Sequence, residues 1–266
     1  MKDIIIYFGL KSRPFDKSIR SSKVLETEPL KEANARLDYI RNRGGMMLLT
    51  GDPGVGKTLA LRAFVDHLND NRFRTVYTPL STLKGTDILR HINHCLGLPY
   101  RPTKSALFSQ IQHEVLESRD QRGKTLVLIL DEAQLLPNAT LHEIRLLTNF
   151  RMDSYDPFIL ILAGQTELRR IMDYAVMEPF AQRLAMRFHM PPLDPAGTAQ
   201  YVRHHMKLAG ATQSIFHDDA LSALHELSYG IPRRIGSLAE HVLIYAAFAE
   251  RQTVDADTVL KATAGQ

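Results

Sequence analysis

Apolar residues follow two regimes along the chain. Up to about residue 193, short continuous apolar runs alternate with stretches of helical period. Beyond residue 196 only the helical period remains. Runs of four to eight apolar residues bounded by turn residues are the mark of strands covered on both faces. Met46–Thr50, Arg74–Pro79, Thr125–Leu130, Phe158–Ala163 and a short segment at Arg187–Met190 read as strands. Between them, helical spacing predicts a helix with Leu30, Ala33, Leu37 and Ile40 on one side, entered at Thr27 and Pro29 and ended by Gly44-Gly45. Further helices are expected from Lys57 to Asn69, with Leu61, Phe64, Val65 and Leu68 on one side, and over Thr86–Leu96, Ser105–Ser118 and Leu141–Phe150. Strands alternating with helices predict an α/β fold with a parallel sheet and helices on both sides. Pro191-Pro192-Leu193-Asp194-Pro195 breaks the alternation, and residues 196–209, 217–228, 232–249 and 255–263 read as four helices. The layout expected is a basic N-terminal segment (1–27), an α/β core (28–193) and a C-terminal helical lid (194–266).

Between the first strand and its helix lies Gly51-Asp52-Pro53-Gly54-Val55-Gly56-Lys57-Thr58, which fits G-x-x-x-x-G-K-[ST] at every fixed position. Strand, glycine loop and helix form the context in which this pattern cradles phosphate. Glycines let the backbone bend with N–H groups turned inward, and the helix N-terminus adds its positive dipole end. Lys57 is expected to reach the β- and γ-phosphates of ATP, and Thr58 to offer its hydroxyl to Mg²⁺.

The strand Thr125–Leu130 runs into Asp131-Glu132. Ligands in such sheets gather at the carboxyl ends of strands. Asp131 is expected to hold Mg²⁺, mainly through its water shell, and Glu132 to polarise the water that attacks the γ-phosphate. Gln165, just past the strand Phe158–Ala163, is placed to orient that water or to sense the γ-phosphate.

Composition narrows the setting. Of 266 residues, 44% are hydrophobic and 23% charged, as in ordinary globular proteins. No apolar run approaches the length of a membrane span, the N-terminus does not fit a signal peptide, and the one cysteine excludes an internal disulfide. A cytoplasmic location without membrane contact is the expectation. The net charge of +4 sits in residues 1–23, where Lys2, Lys11, Arg13, Lys17, Arg20 and Lys23 face only Asp3 and Asp16. His91, His94 and Cys95 lack the partner cluster a zinc site needs. Cys95 is expected to be a small buried residue, and His204 and His205 to lie on the surface.

Several segments together carry a family likeness. They are Tyr7-Phe8-Gly9-Leu10 with Pro14-Phe15, Leu130-Asp131-Glu132-Ala133-Gln134-Leu135-Leu136, Gly164-Gln165-Thr166-Glu167-Leu168-Arg169, and Gly230-Ile231-Pro232-Arg233-Arg234-Ile235. With the phosphate loop, they resemble the AAA+ ATPases, within them the ExeA/TnsC/TniB-like branch, related to IstB and MuB. The resemblance implies a P-loop sheet core with a helical lid, and oligomers in which an arginine reaches a neighbour's ATP. In Pro179–Phe188 it points to Arg183 as that finger, with Arg187 in reserve. It also implies that Arg233, with Arg234 in reserve, reaches the γ-phosphate from the lid.

The branch holds two functional kinds. ExeA-like proteins serve secretion and carry a membrane helix and a wall-binding domain after the ATPase. Transposition regulators are compact, assemble on DNA with ATP and recruit a transposase. The chain stops soon after the lid, so the expectation is an ATPase that oligomerises on duplex DNA and activates a transposase. The alternative is an ExeA-like secretion-accessory or protein-remodelling ATPase. Lys84, Arg101, Lys104 and the basic arm are the candidate contacts to DNA phosphates.

Overall fold

The computed structural model describes residues 3–16, 23–79 and 85–264. The chain divides into two compact units. One holds Glu32–Gly51 and Lys57–Met190; the other holds Met1–Lys31, Asp52–Gly56 and Pro191–Gln266.

The first unit is built on a five-stranded sheet of β1 (Gly45–Thr50), β2 (Phe73–Thr78), β3 (Thr125–Leu130), β4 (Phe158–Gly164) and β5 (Leu184–His189). Every pairing is parallel and the order is β2-β3-β4-β1-β5. All residues of β1, β3 and β4 are buried, which is why these strands read as unbroken apolar runs. Successive side chains point to opposite faces. Met46, Leu48, Leu126, Leu128, Leu130, Leu160 and Leu162 share a core with α4 (Thr86–Cys95), α5 (Lys104–Asp120) and α6 (Asn138–Leu147). Met47, Leu49, Val127, Ile129, Ile159 and Ile161 are equally buried and, by alternation, line the other face. Residues from α2 (Glu28–Arg43) and α3 (Lys57–Asp66) are also deeply buried, among them Leu37, Ile40, Ala60 and Leu61.

Between β4 and β5 run α7 (Thr166–Met172) and α8 (Glu178–Ala181). β5 starts three residues earlier than the sequence suggests. It is an edge strand with alternating exposure rather than a fully buried run, and its parallel pairing to β1 runs from Leu184 to His189. α6 likewise begins at Asn138, because Pro137 opens the helix and its first turn is polar.

In the second unit, α9 (Pro195–Leu208), α10 (Asp218–Ser228), α11 (Pro232–Phe248) and α12 (Ala256–Thr263) enclose a separate apolar core. Asp194 and Asp255 cap α9 and α12 by accepting from Gly197 N–H and Thr258 N–H. The N-terminal segment joins this core: α1 (Ile4–Tyr7) and the following turn bury Ile4 and Leu10, and Lys11 N–H donates to Ala209 C=O at 2.7 Å.

Two expectations are corrected here. Cys95, in the last turn of α4, is exposed, with Sγ 3.5 Å from His91 Nε2. His205 is buried, 8% exposed, because the N-terminal segment brings Phe15 onto its ring at 5.3 Å while Tyr201 lies 4.4 Å away. Burial, with His204 alongside, lowers the His205 pKa to about 4 from the ordinary 6.5. The unfolded chain therefore takes up this proton at higher pH than the folded one. The contribution of neutral His205 is complete above pH 6.5 and is lost as pH falls towards 4, by up to about 1.4 kcal/mol per pH unit. The loss of thermal stability between pH 7 and pH 5 should be smaller in His205→Phe than in the parent, as measured by thermal unfolding.

Candidate functional site

Strand order dictates where the chemistry meets. β4 lies between β1 and β3, with Thr50 opposite Gly164 and Leu130 opposite Leu162. The residue leaving β4 must therefore stand between the phosphate loop after β1 and the acidic pair after β3. Gly51, Lys57, Thr58, Asp131, Glu132 and Gln165 are brought together at the carboxyl edge of the sheet in this way.

Lys57 opens α3 and is 5% exposed; its Nζ donates to Gly51 C=O at 2.8 Å. Buried ammonium groups persist only where oxygen partners surround them. Thr58 Oγ1 donates to Asp131 Oδ2 at 3.0 Å. That separation suits two hard oxygen donors to a single Mg²⁺. Asp131, 3% exposed, also accepts from Glu132 N–H and from the Tyr77 hydroxyl at 2.8 Å.

Glu132 adopts a left-handed backbone (φ 53°, ψ 35°). Left-handed conformations are costly for a side-chain-bearing residue and recur at functional sites. Its Oε2 accepts from Gln165 Nε2 at 3.1 Å and from Gln134 Nε2 at 2.6 Å. Gln165 is the residue before α7, yet its side chain makes no capping bond there; it turns to Glu132 instead.

Asp52, Pro53, Gly54, Val55 and Gly56 join Gly51 to Lys57 along the chain. Gly54 (φ +92°) leaves no room for a side chain: a Cβ there would lie 2.7 Å from Arg233 Cβ and 3.2 Å from Ile231 Cγ2. Arg233 N–H, in the first turn of α11, donates to Gly54 C=O at 3.3 Å. Arg233 thus borders the loop, while Arg234 lies over the ring of Tyr229.

The remaining candidates stand apart from the cluster. Arg183 follows α8 and is half-buried, with Nη1 donating to Thr148 Oγ1 at 3.1 Å. Arg187, on β5, donates to Ala181 C=O and faces Asp173. Arg101 is exposed, Lys104 opens α5 and is ion-paired with Glu143, and Lys84 lies outside the described residues. Among the described residues, no group of three or more His, Cys, Asp or Glu side chains is arranged to hold a metal by itself.

Two site residues escaped the sequence reading: Tyr77 and Gln134. Tyr77 is 41% exposed overall, and partial desolvation together with the bond to Asp131 raises its pKa. Its only sequence signal is position, next to last in a strand whose end borders the site. Gln134 carries a stronger hint, since it lies within the Leu130–Leu136 segment two residues past Glu132.

A model of the AAA domain matches residues 40–172, half of the chain, a span holding every member of the Lys57–Gln165 cluster. The chain belongs to the AAA domain family. Membership makes it a nucleotide-binding protein of the ATPase kind. The general secretion pathway protein A of Aeromonas hydrophila is 36% identical over 247 residues. That match covers 91% of this chain and 44% of the relative, so the chain spans less than half the length of the curated protein it matches. Among solved structures, the ORC2 protein of Aeropyrum pernix, in ADPNP-ADP complexes, has a TM-score of 0.66 at 16% identity, covering 94% of this chain and 71% of that one. Cdc6p of Pyrobaculum aerophilum has a TM-score of 0.63 at 20% identity, covering 93% and 69%. The RuvB Holliday junction branch migration motor of Thermotoga maritima gives 0.59 at 19%, covering 97% and 72%. These likenesses establish the fold: a parallel P-loop sheet with flanking helices, followed by C-terminal helices.

Two substitutions test the site. Gly54→Ala should weaken binding of a fluorescent ATP analogue at least about tenfold in a protein that still unfolds cooperatively, because the loop must then give way against the Arg233 stem. Tyr77→Phe should raise the Mg²⁺ concentration needed for half-maximal analogue binding by about ten- to a hundredfold, the usual cost of losing a residue that orients a metal ligand.

Proposed function

We propose that the chain is an ATP- and Mg²⁺-dependent ATPase whose nucleotide state controls its action on a protein partner in a secretion-type process. The observation that carries the ATPase reading is the continuous network from Thr58 through Asp131 to Glu132 and Gln165. It joins a metal-ligand pair to a carboxylate held within reach of the sensor glutamine. In the proposed division of labour, the loop Gly51–Thr58 binds the phosphates and Lys57 neutralises charge on the β- and γ-oxygens. Thr58 and Asp131 hold Mg²⁺, Glu132 takes the proton of the attacking water, and Gln165 orients that water. Mg²⁺ supplies charge neutralisation on the phosphate oxygens when bound. Residues 28–193 serve as the catalytic core and 194–266 as a lid, with Arg233 reporting the nucleotide through its place beside Gly54.

A protein partner is supported by the 36% identity to a general secretion pathway protein. Chain length does not bear on the choice, because the match covers only 44% of that longer relative. The DNA-loaded transposition reading has weaker support. Of the three residues named for it, Lys104 is ion-paired with Glu143, Arg101 is exposed, which by itself assigns it no role, and Lys84 lies outside the described residues. Self-association belongs to the proposal, with Arg183 as the group that reaches a neighbour's nucleotide and Arg187 in reserve.

Glu132→Gln should lower turnover by about a hundredfold or more while ATP binding persists, the scale expected on losing a general base. A steady-state ATPase assay paired with analogue binding measures both. In the same assay, stimulation by duplex DNA at low salt would overturn the protein-partner reading, and indifference to DNA supports it.

A further inference from the structure

Gln134 uses both ends of one amide. Nε2 donates to Glu132 Oε2 at 2.6 Å, and Oε1 accepts from Gln165 backbone N–H at 3.0 Å. Gln165 Nε2 reaches the same Glu132 oxygen at 3.1 Å. The three residues therefore close a ring of hydrogen bonds that ties the acidic pair after β3 to the residue leaving β4.

Local backbone explains the reach. Glu132 is left-handed, and Ala133–Leu135 follows as a single 3₁₀ turn with Leu135 N–H on Glu132 C=O and Leu136 N–H on Ala133 C=O. Ala133 and Leu136 are buried and anchor the turn in the core. This turn carries the Gln134 side chain back over Glu132. The far end of the ring is equally constrained. A Cβ on Gly164 would stand 2.5 Å from Gln134 Oε1 and 2.8 Å from Leu168 Cδ2, so a glycine is what lets the amide lie against the end of β4.

Both amide nitrogens fall on Oε2, and Oε1 makes no hydrogen bond to the described residues. We propose that Gln134 is a positioning residue for ATP hydrolysis. It clamps Oε2, leaves Oε1 as the oxygen that accepts the proton from water, and keeps this carboxylate in register with Gln165. Displacement of Gln165 by an arriving γ-phosphate would then be transmitted to the base through Gln134 as well as directly. This inference rests on the reading of Glu132 as general base, and its test is built to separate the two.

Gln134→Met keeps size and removes both hydrogen bonds. Gln134→Glu keeps the acceptor for Gln165 N–H but loses the donor and sets a second carboxylate against Glu132. Full-length variants are compared in steady-state ATPase assays for kcat and KM, with a fluorescent ATP analogue for affinity and thermal unfolding for integrity. Q134M should lose at least about tenfold in kcat with KM and analogue affinity within about twofold of the parent, because the clamp acts on the base and not on the phosphate loop. Q134E should be slower than Q134M, because like charges repel at the base. A Q134E with parental kcat would overturn the proposal, since bracing Gln165 N–H would then be all that Gln134 does. Parental kcat in Q134M would overturn it as well. Should Q134M fail to fold, Q134E alone decides. E132Q is measured beside them: full turnover there removes the general-base reading itself, whereas an inactive E132Q with a fully active Q134E removes only the clamp.

Discussion

Three central strands buried on both faces leave a parallel sheet few places to put polar chemistry. Side chains within β1, β3 and β4 must pack against helices, so charged and amide groups collect where the strands end. The order β2-β3-β4-β1-β5 then decides which ends are neighbours. β4 is inserted between the strand that carries the phosphate loop and the strand that carries Asp131-Glu132. The residue after β4 is thereby a neighbour of both, whatever its distance in sequence.

Burial of charge sets the second level of organisation. Asp131 is almost wholly enclosed and accepts from a threonine, a tyrosine and a backbone amide. A buried carboxylate without such donors would be costly to keep ionised. The same donors hold it in one orientation, which is what a metal ligand requires. Glu132 is less buried, is left-handed in its backbone, and is held through one oxygen only. The adjacent acidic residues thus sit in different environments, one enclosed by donors and one held at its edge.

The helical unit shows the same interplay of local and distant constraints. Two of its helices are capped locally by Asp194 and Asp255, but its core is completed by Ile4 and Leu10 from the opposite end of the chain. That long-range packing changes the character of individual residues. His205 becomes a neutral ring stacked with Phe15 and Tyr201 because the N-terminal segment covers it.

The sequence by itself determined the motif-bearing elements. Gly51–Thr58 and Asp131-Glu132 are contiguous, and the buried strands announce themselves as unbroken apolar runs, since residues covered on both faces must all be apolar. The C-terminal helices were legible from their period, because only the face that meets the core must be apolar. The tertiary structure alone decided what depends on residues far apart in the chain. Examples are the full length of the edge strand β5, set by pairing with β1, and the burial of His205 beneath Phe15. It placed Tyr77 on Asp131 and linked Gln134 to both Glu132 and Gln165. Periodicity records which face of an element meets the core, whereas hydrogen bonds between strand ends arise only once the order of the strands is set.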